Sequence, residues 1–203
     1  MQIQHTIMTS NTQLIGRSFS ALSSVWLVSI GIIVVEAIVN SAASALAYGI
    51  LSIFITGPLM FGNARCFLAI GRGQEVQVSM LFDGFKHFVN TMLAGILFVL
   101  ALVGGLFLFV IPGIIVGVGL SQTFYIMADN PEMECTEALK ESWGLVMKGG
   151  FFWKVFGMGI LQLFVVMAGF IALIIGVLFA VPVVYTASAL LYDEIKASRL
   201  VQP

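Results

Sequence analysis

Long apolar runs alternate with short polar stretches along this chain, and the runs fall into three blocks: about Leu22 to Ile70, Phe88 to Met127, and Phe151 to Tyr192. A helix needs about 20 apolar residues to cross roughly 30 Å of hydrocarbon, so each block is long enough for two passes. Each is therefore predicted to be a helical hairpin, with turns near Asn40 to Ser44, Gly104 to Pro112 and Gly169 to Gly176. The runs lack the in/out alternation of a barrel strand, and unpaired backbone is too costly in lipid for any other spanning element. Ahead of each hairpin, apolar residues recur at helical spacing: Leu14, Ile15, Ser18, Phe19 and Leu22; Leu81, Phe82, Phe85 and Phe88; Leu139, Trp143, Val146 and Met147. These stretches, about 11–21, 78–88 and 131–149, predict short interfacial helices, or the ends of tilted spanning helices. The expected fold is an all-α polytopic membrane helix bundle occupying 1–203 as one domain. It has six transmembrane helices as three hairpins, each preceded by a short amphipathic cytoplasmic helix.

Charge orients this arrangement. All nine basic residues, Arg17, Arg65, Arg72, Lys86, Lys140, Lys148, Lys154, Lys196 and Arg199, fall in segments that six passes place on one side. Positive residues are retained in the cytoplasm during insertion, so both termini are expected there, in a multi-pass protein of the plasma membrane. Nine of the ten acidic residues fall on the same side, Glu36 being the exception. A composition 60% hydrophobic and 9% charged, against about 25% charged in a soluble domain, excludes an ordinary water-soluble protein. A net charge of -1 argues against a nucleic-acid partner. The N-terminus has no positive stretch leading into an apolar core and cleavage site, so no cleaved signal peptide is expected. Cys66 and Cys135 both map to the reducing side, where a disulfide is not expected.

Pro58, Pro112 and Pro182 hold comparable places in the second passes, which suggests a repeat that is topological more than sequential. Pro112 can begin a helix without losing a hydrogen bond, whereas Pro58 and Pro182 fall inside apolar runs and should kink them. An intramembrane carboxylate suggests a proton-coupled or cation-binding group, which makes Glu36 the candidate functional residue. Counted from Leu22 at about 1.5 Å per residue it lies roughly 21 Å along its helix, and the competing expectation is a residue at the outer interface that reaches water. Arg65, beside Asn63 near the inner end of its pass, is expected to snorkel. Gln122 and Gln162, with the small pairs Ala45 and Gly49 and Gly113 and Gly117, read as helix-packing positions.

Catalytic motifs are missing from the sequence. His5 and His87 sit in no zinc-binding arrangement, and there is no nucleophile elbow, phosphate loop or dinucleotide fingerprint. Glu132, Glu134, Glu137 and Glu141 read as an acidic helix start that complements the helix dipole. No catalytic residue, cofactor or metal ligand is expected.

The most specific stretch runs from Ile111 to Gly149. It contains Ile111-Pro112-Gly113-Ile114, Tyr125-Ile126-Met127-Ala128-Asp129-Asn130-Pro131-Glu132, Glu137-Ala138-Leu139-Lys140-Glu141-Ser142 and Met147-Lys148-Gly149. With Pro182, Tyr185 and Leu191-Tyr192-Asp193-Glu194, it resembles the DUF975 family of bacterial integral membrane proteins over the C-terminal half; the first hairpin matches mainly in layout. The resemblance implies a bacterial inner-membrane protein and supplies no substrate. Asp129, Asn130, Pro131, Lys148 and Gly149 read as a cytoplasmic elbow. In it Asn130 and Pro131 cap and begin the inner helix, and Lys148 with Gly149 and Gly150 ends it. The expected function is that of a non-enzymatic accessory, assembly or scaffold subunit whose partners are the bilayer and other membrane proteins or copies of itself. The alternative is a small-solute or ion transporter using Glu36 and proline-broken helices.

Overall fold

A computed structural model describes residues 8–45, 50–171 and 173–201, and among these every regular element is a helix. The elements are α1 (Asn11–Leu22), α2 (Trp26–Ala45), α3 (Ile50–Gly71), a 3-10 helix (Val78–His87), α4 (Phe88–Leu108), α5 (Val110–Leu120), α6 (Thr123–Asp129), α7 (Cys135–Trp143) with a π turn (Gly144–Lys148), α8 (Phe152–Ile171) and α9 (Leu173–Val201). Six helical stretches among them are long and apolar enough to cross a membrane. They pair as three hairpins: α2 with α3, α4 with α5 and α6, and α8 with α9. The sides of these helices are strongly apolar where exposed, and at the tip of the second hairpin Phe107 is 92% and Phe109 77% exposed. Apolar surface on this scale marks a face that meets lipid or another protein.

The hairpin boundaries follow the hydrophobic pattern, with two instructive differences. The first turn does not fall at Asn40 to Ser44, because α2 continues through those residues to Ala45. Ala42, Ala43 and Ala45 are strong helix formers and carry the helix past the polar residues among them. Gly49, expected to pack with Ala45, lies outside the described residues, as does His5. At the other end of the molecule α9 runs on past Tyr192 to Val201, its last turns carrying Lys196 and Arg199.

Each hairpin is preceded by a short helix, and each of these helices is folded onto the bundle. Helix α1 lies along α9, from the Thr9 N–H donating to Glu194 Oε1 to a chain of rings through Phe19, Trp26 and Phe179. Leu14, Ser18 and Leu22 of the expected apolar face are its buried stripe, Ile15 is partly buried, and Phe19 is 51% exposed. The second segment has 3-10 pitch, so residues three apart eclipse. Phe82, Phe85 and Phe88 form one row with centroids 6.2 Å apart, while Leu81 and Gly84 face inward. Ten residues is long for a 3-10 helix, and the contact with α3 explains its persistence. A Cβ on Gly62 would stand 1.8 Å from the Leu81 carbonyl oxygen, and one on Gly84 would stand 2.1 Å from that of Pro58. The two backbones touch where only glycine permits it.

The third segment differs from expectation in its details. Helix α7 starts at Cys135, and Asn130 caps the end of α6 instead: its N–H donates to the Ile126 carbonyl at 2.9 Å and its side chain reaches back to the same oxygen. Pro131 sits in the turn that follows, closed by the Met133 N–H donating to the Asn130 carbonyl at 3.0 Å. The buried stripe is Cys135, Ala138 and Ser142 with Leu145 and Val146, so smaller residues than Leu139 and Trp143 face the core. Lys148 ends the π turn, and of the paired glycines beyond it Gly150 takes the left-handed conformation, at φ 75°, as expected.

Candidate functional site

Polar side chains concentrate in two places: a chain of contacts inside the bundle, and a charged end where α3, α6 and α9 finish. The inner chain starts at Glu36, the eleventh of the twenty residues of α2 and so at its middle, not towards its outer end. The Asn63 side-chain amide of α3, only 2% exposed, donates to Glu36 Oε2 at 2.8 Å. Tyr185 of α9 stacks its ring on Phe67 of α3 at 5.2 Å. The Tyr125 hydroxyl of α6 donates to the Tyr185 carbonyl at 3.4 Å. Four helices are thus joined by two hydrogen bonds and one ring stack, in surroundings where a lost partner cannot be replaced by water. Sequence reading singled out Glu36 and gave Asn63 no role; an asparagine 27 positions away carries no signal of this pairing.

Other polar residues of the passes also serve packing. Gln162 of α8 donates to Ser188 Oγ at 2.8 Å and the Val184 carbonyl at 3.2 Å, as its position predicts. Gln122 lies at the break between α5 and α6, where its backbone N–H donates to Ser142 Oγ at 3.2 Å. The Ser142 hydroxyl in turn donates to the Gly119 carbonyl at 2.9 Å, so α7 closes the backbone groups freed by the break. Pro58 and Pro182 lie inside α3 and α9, and the Pro182 carbonyl accepts the Thr186 hydroxyl at 2.8 Å. Pro112 is the third residue of α5, in its first turn.

The charged end is a knot around Asp129. Arg72, just beyond α3, donates through Nη1 to Asp129 Oδ1 at 2.7 Å and grips Asp193 of α9 with Nε and Nη2, at 3.0 and 2.6 Å. Asp129 also accepts from Lys196 and from the Tyr192 hydroxyl, the latter at 3.2 Å. Bonds to Asp193 and then Asp129 hold the Arg72 guanidinium well above the usual arginine range, so it keeps its charge. Nearby, Arg65 pairs with Asp83 at 3.3 Å and Lys86 with the same carboxylate at 2.6 Å, which fixes the 3-10 helix to α3. Arg65 thus has a partner in the protein. Lys154 of α8 lies 2.9 Å from Glu194 of α9, with Asn11 of α1 donating to the Lys154 carbonyl at 3.0 Å.

No protein-family model, curated protein or solved structure matches the chain. Its chemistry is therefore read from its own geometry. Of the expected elbow residues, Asp129 is the hub of the knot and Asn130 and Pro131 shape the turn below it, while Lys148 and Gly149 lie at the start of the third hairpin. The charged end carries open clefts: one of about 670 Å³ bounded by Lys140, Glu141, Lys196 and Arg199, and one of about 340 Å³ bounded by Arg65, Arg72 and Asp129. Neither includes Glu36, Pro58 or Pro182 in its walls.

Proposed function

We propose that this chain is a non-enzymatic integral membrane protein that works through contacts, as an accessory, assembly or scaffold subunit whose charged end is the contact face. The use made of its buried polar groups supports this reading. Asn63, Tyr125, Gln162 and Ser142 each make a hydrogen bond that joins helices, whereas Lys140, Glu141 and Arg199 at the charged end stand around open clefts. Retention of positive residues places that end in the cytoplasm, with both termini. The resemblance of the Ile111–Gly149 stretch to DUF975 supports a bacterial inner membrane. Gel filtration with light scattering, on protein extracted from native membranes in mild detergent, is expected to show an ordered oligomer or a stoichiometric complex. A lone monomer with no stoichiometric partner would sink the proposal.

A second reading, a small-solute or ion transporter, is favoured by one observation: a carboxylate at the middle of a spanning helix, bonded to a buried amide. Its test is transport by the Glu36→Gln variant in proteoliposomes. Loss of substrate or ion flux with the fold intact would favour it over the scaffold.

A further inference from the structure

A cleft of about 800 Å³ opens between the end of the 3-10 helix with the start of α4 and the turn that leads into α7. Its two walls carry opposite chemistry. Lys86 and His87 stand on one side, and Glu132 and Glu134 on the other. Lys86 is 73% exposed, and its bond to Asp83 leaves ammonium hydrogens free to donate. Glu132 and Glu134 form no ion pair among the described residues. The walls are held at a fixed spacing by one residue: Asn90 donates to the Met133 carbonyl at 2.7 Å and accepts the Cys135 N–H at 2.7 Å. The cleft is therefore pre-formed, which lowers the cost of occupying it. Along α4 it turns apolar, through Phe88 and Leu93, both exposed to the surroundings that the spanning helices face.

We infer that this cleft binds a glycerophospholipid whose headgroup carries both a phosphodiester and a primary ammonium. Lys86 and His87 donate to the phosphate, Glu132 and Glu134 accept from the ammonium, and the acyl chains follow Phe88 and Leu93 up α4. A headgroup of one sign leaves one wall unanswered, and a choline headgroup has no N–H to donate to the carboxylates. A soluble zwitterion answers both walls and leaves the apolar part bare.

Native mass spectrometry of the full chain in mild detergent tests this. The probes are phosphatidylethanolamine, phosphatidylcholine and phosphatidylglycerol with matched chains. The ethanolamine lipid is expected to bind about tenfold more tightly than either other lipid, a difference of about 1.4 kcal/mol. The Glu132→Gln/Glu134→Gln double variant, altered only at exposed positions, is expected to lose that preference while melting like the parent. Lys86→Gln is expected to weaken the ethanolamine and glycerol lipids together. Glycerophosphoethanolamine, which has the headgroup without chains, is expected to compete poorly. Equal binding of the ethanolamine and choline lipids, or a preference that survives in the double variant, overturns the proposal; so does competition by the chainless headgroup as strong as by the lipid.

Discussion

At the scale of single residues, the Glu36 and Asn63 pair separates a structural role from an electrostatic one. Glutamine at position 36 keeps an oxygen that can accept from the Asn63 amide, whereas alanine leaves that buried amide without its acceptor. Glu36→Ala is expected to lose about 1–3 kcal/mol and Glu36→Gln well under 1 kcal/mol. Unfolding of both variants in detergent measures this, and equal damage from the two would show that the charge itself matters. Glu36 stood out in the sequence because a carboxylate in an apolar run is rare. Its partner did not, because an asparagine can equally cap, snorkel or pack, and only the docking of α3 against α2 decides. Ser142 was hidden for a related reason: its hydroxyl is useful only because α5 breaks at Ser121 and Gln122, and the run of residues there is apolar enough to hide the break.

At the scale of elements, the 3-10 helix and α3 approach backbone to backbone at Gly62 and Gly84. Gly62→Ala or Gly84→Ala would push a methyl group into a carbonyl oxygen, at 1.8 and 2.1 Å, and the neighbour is backbone that cannot swing aside. Each is expected to cost about 3 kcal/mol or more, the upper range for overpacking, and to release the 3-10 helix from α3. Gly16→Ala in α1, where a Cβ meets nothing within 4 Å, is the control and should be neutral or slightly stabilising. Hydrogen exchange over residues 78–87 reads the release directly. The three hairpins were legible because hydrophobic run length alone counts passes. The 3-10 pitch was not, since Leu81, Phe82, Phe85 and Phe88 fit a period of 3.0 or 3.6 equally well over ten residues. Asn130 and Pro131 misled for a similar reason: the pair looks the same ending one helix as starting the next.

At the scale of the whole molecule, Arg72 is the fastener between hairpins, joining the end of α3 to α6 through Asp129 and to α9 through Asp193. Arg72→Lys keeps the charge and loses the two-pronged grip on Asp193, so a loss of about 1–2 kcal/mol is expected, moderated because the side chain is 32% exposed. Paired unfolding curves for Arg72→Lys and Asp193→Asn, singly and together, should show the coupling; additivity would mean that the pair contributes nothing. The gathering of charge at one end was legible from the sequence, because insertion physics sorts basic residues by side. The wiring was not, since Arg72, Asp129 and Asp193 lie in three different hairpins. Cys66 and Cys135, which the topology places on the charged side, are both buried, so neither thiol can report sidedness. The central claim, six passes with all the paired charge on the cytoplasmic side, is tested most directly by two introduced cysteines. Phe109→Cys lies at the exposed tip of the second hairpin, and Glu132→Cys lies on the exposed turn at the charged end. A membrane-impermeant maleimide applied to intact cells is predicted to label Phe109→Cys and to reach Glu132→Cys only after the membrane is opened. Labelling of Glu132→Cys in intact cells would contradict the account.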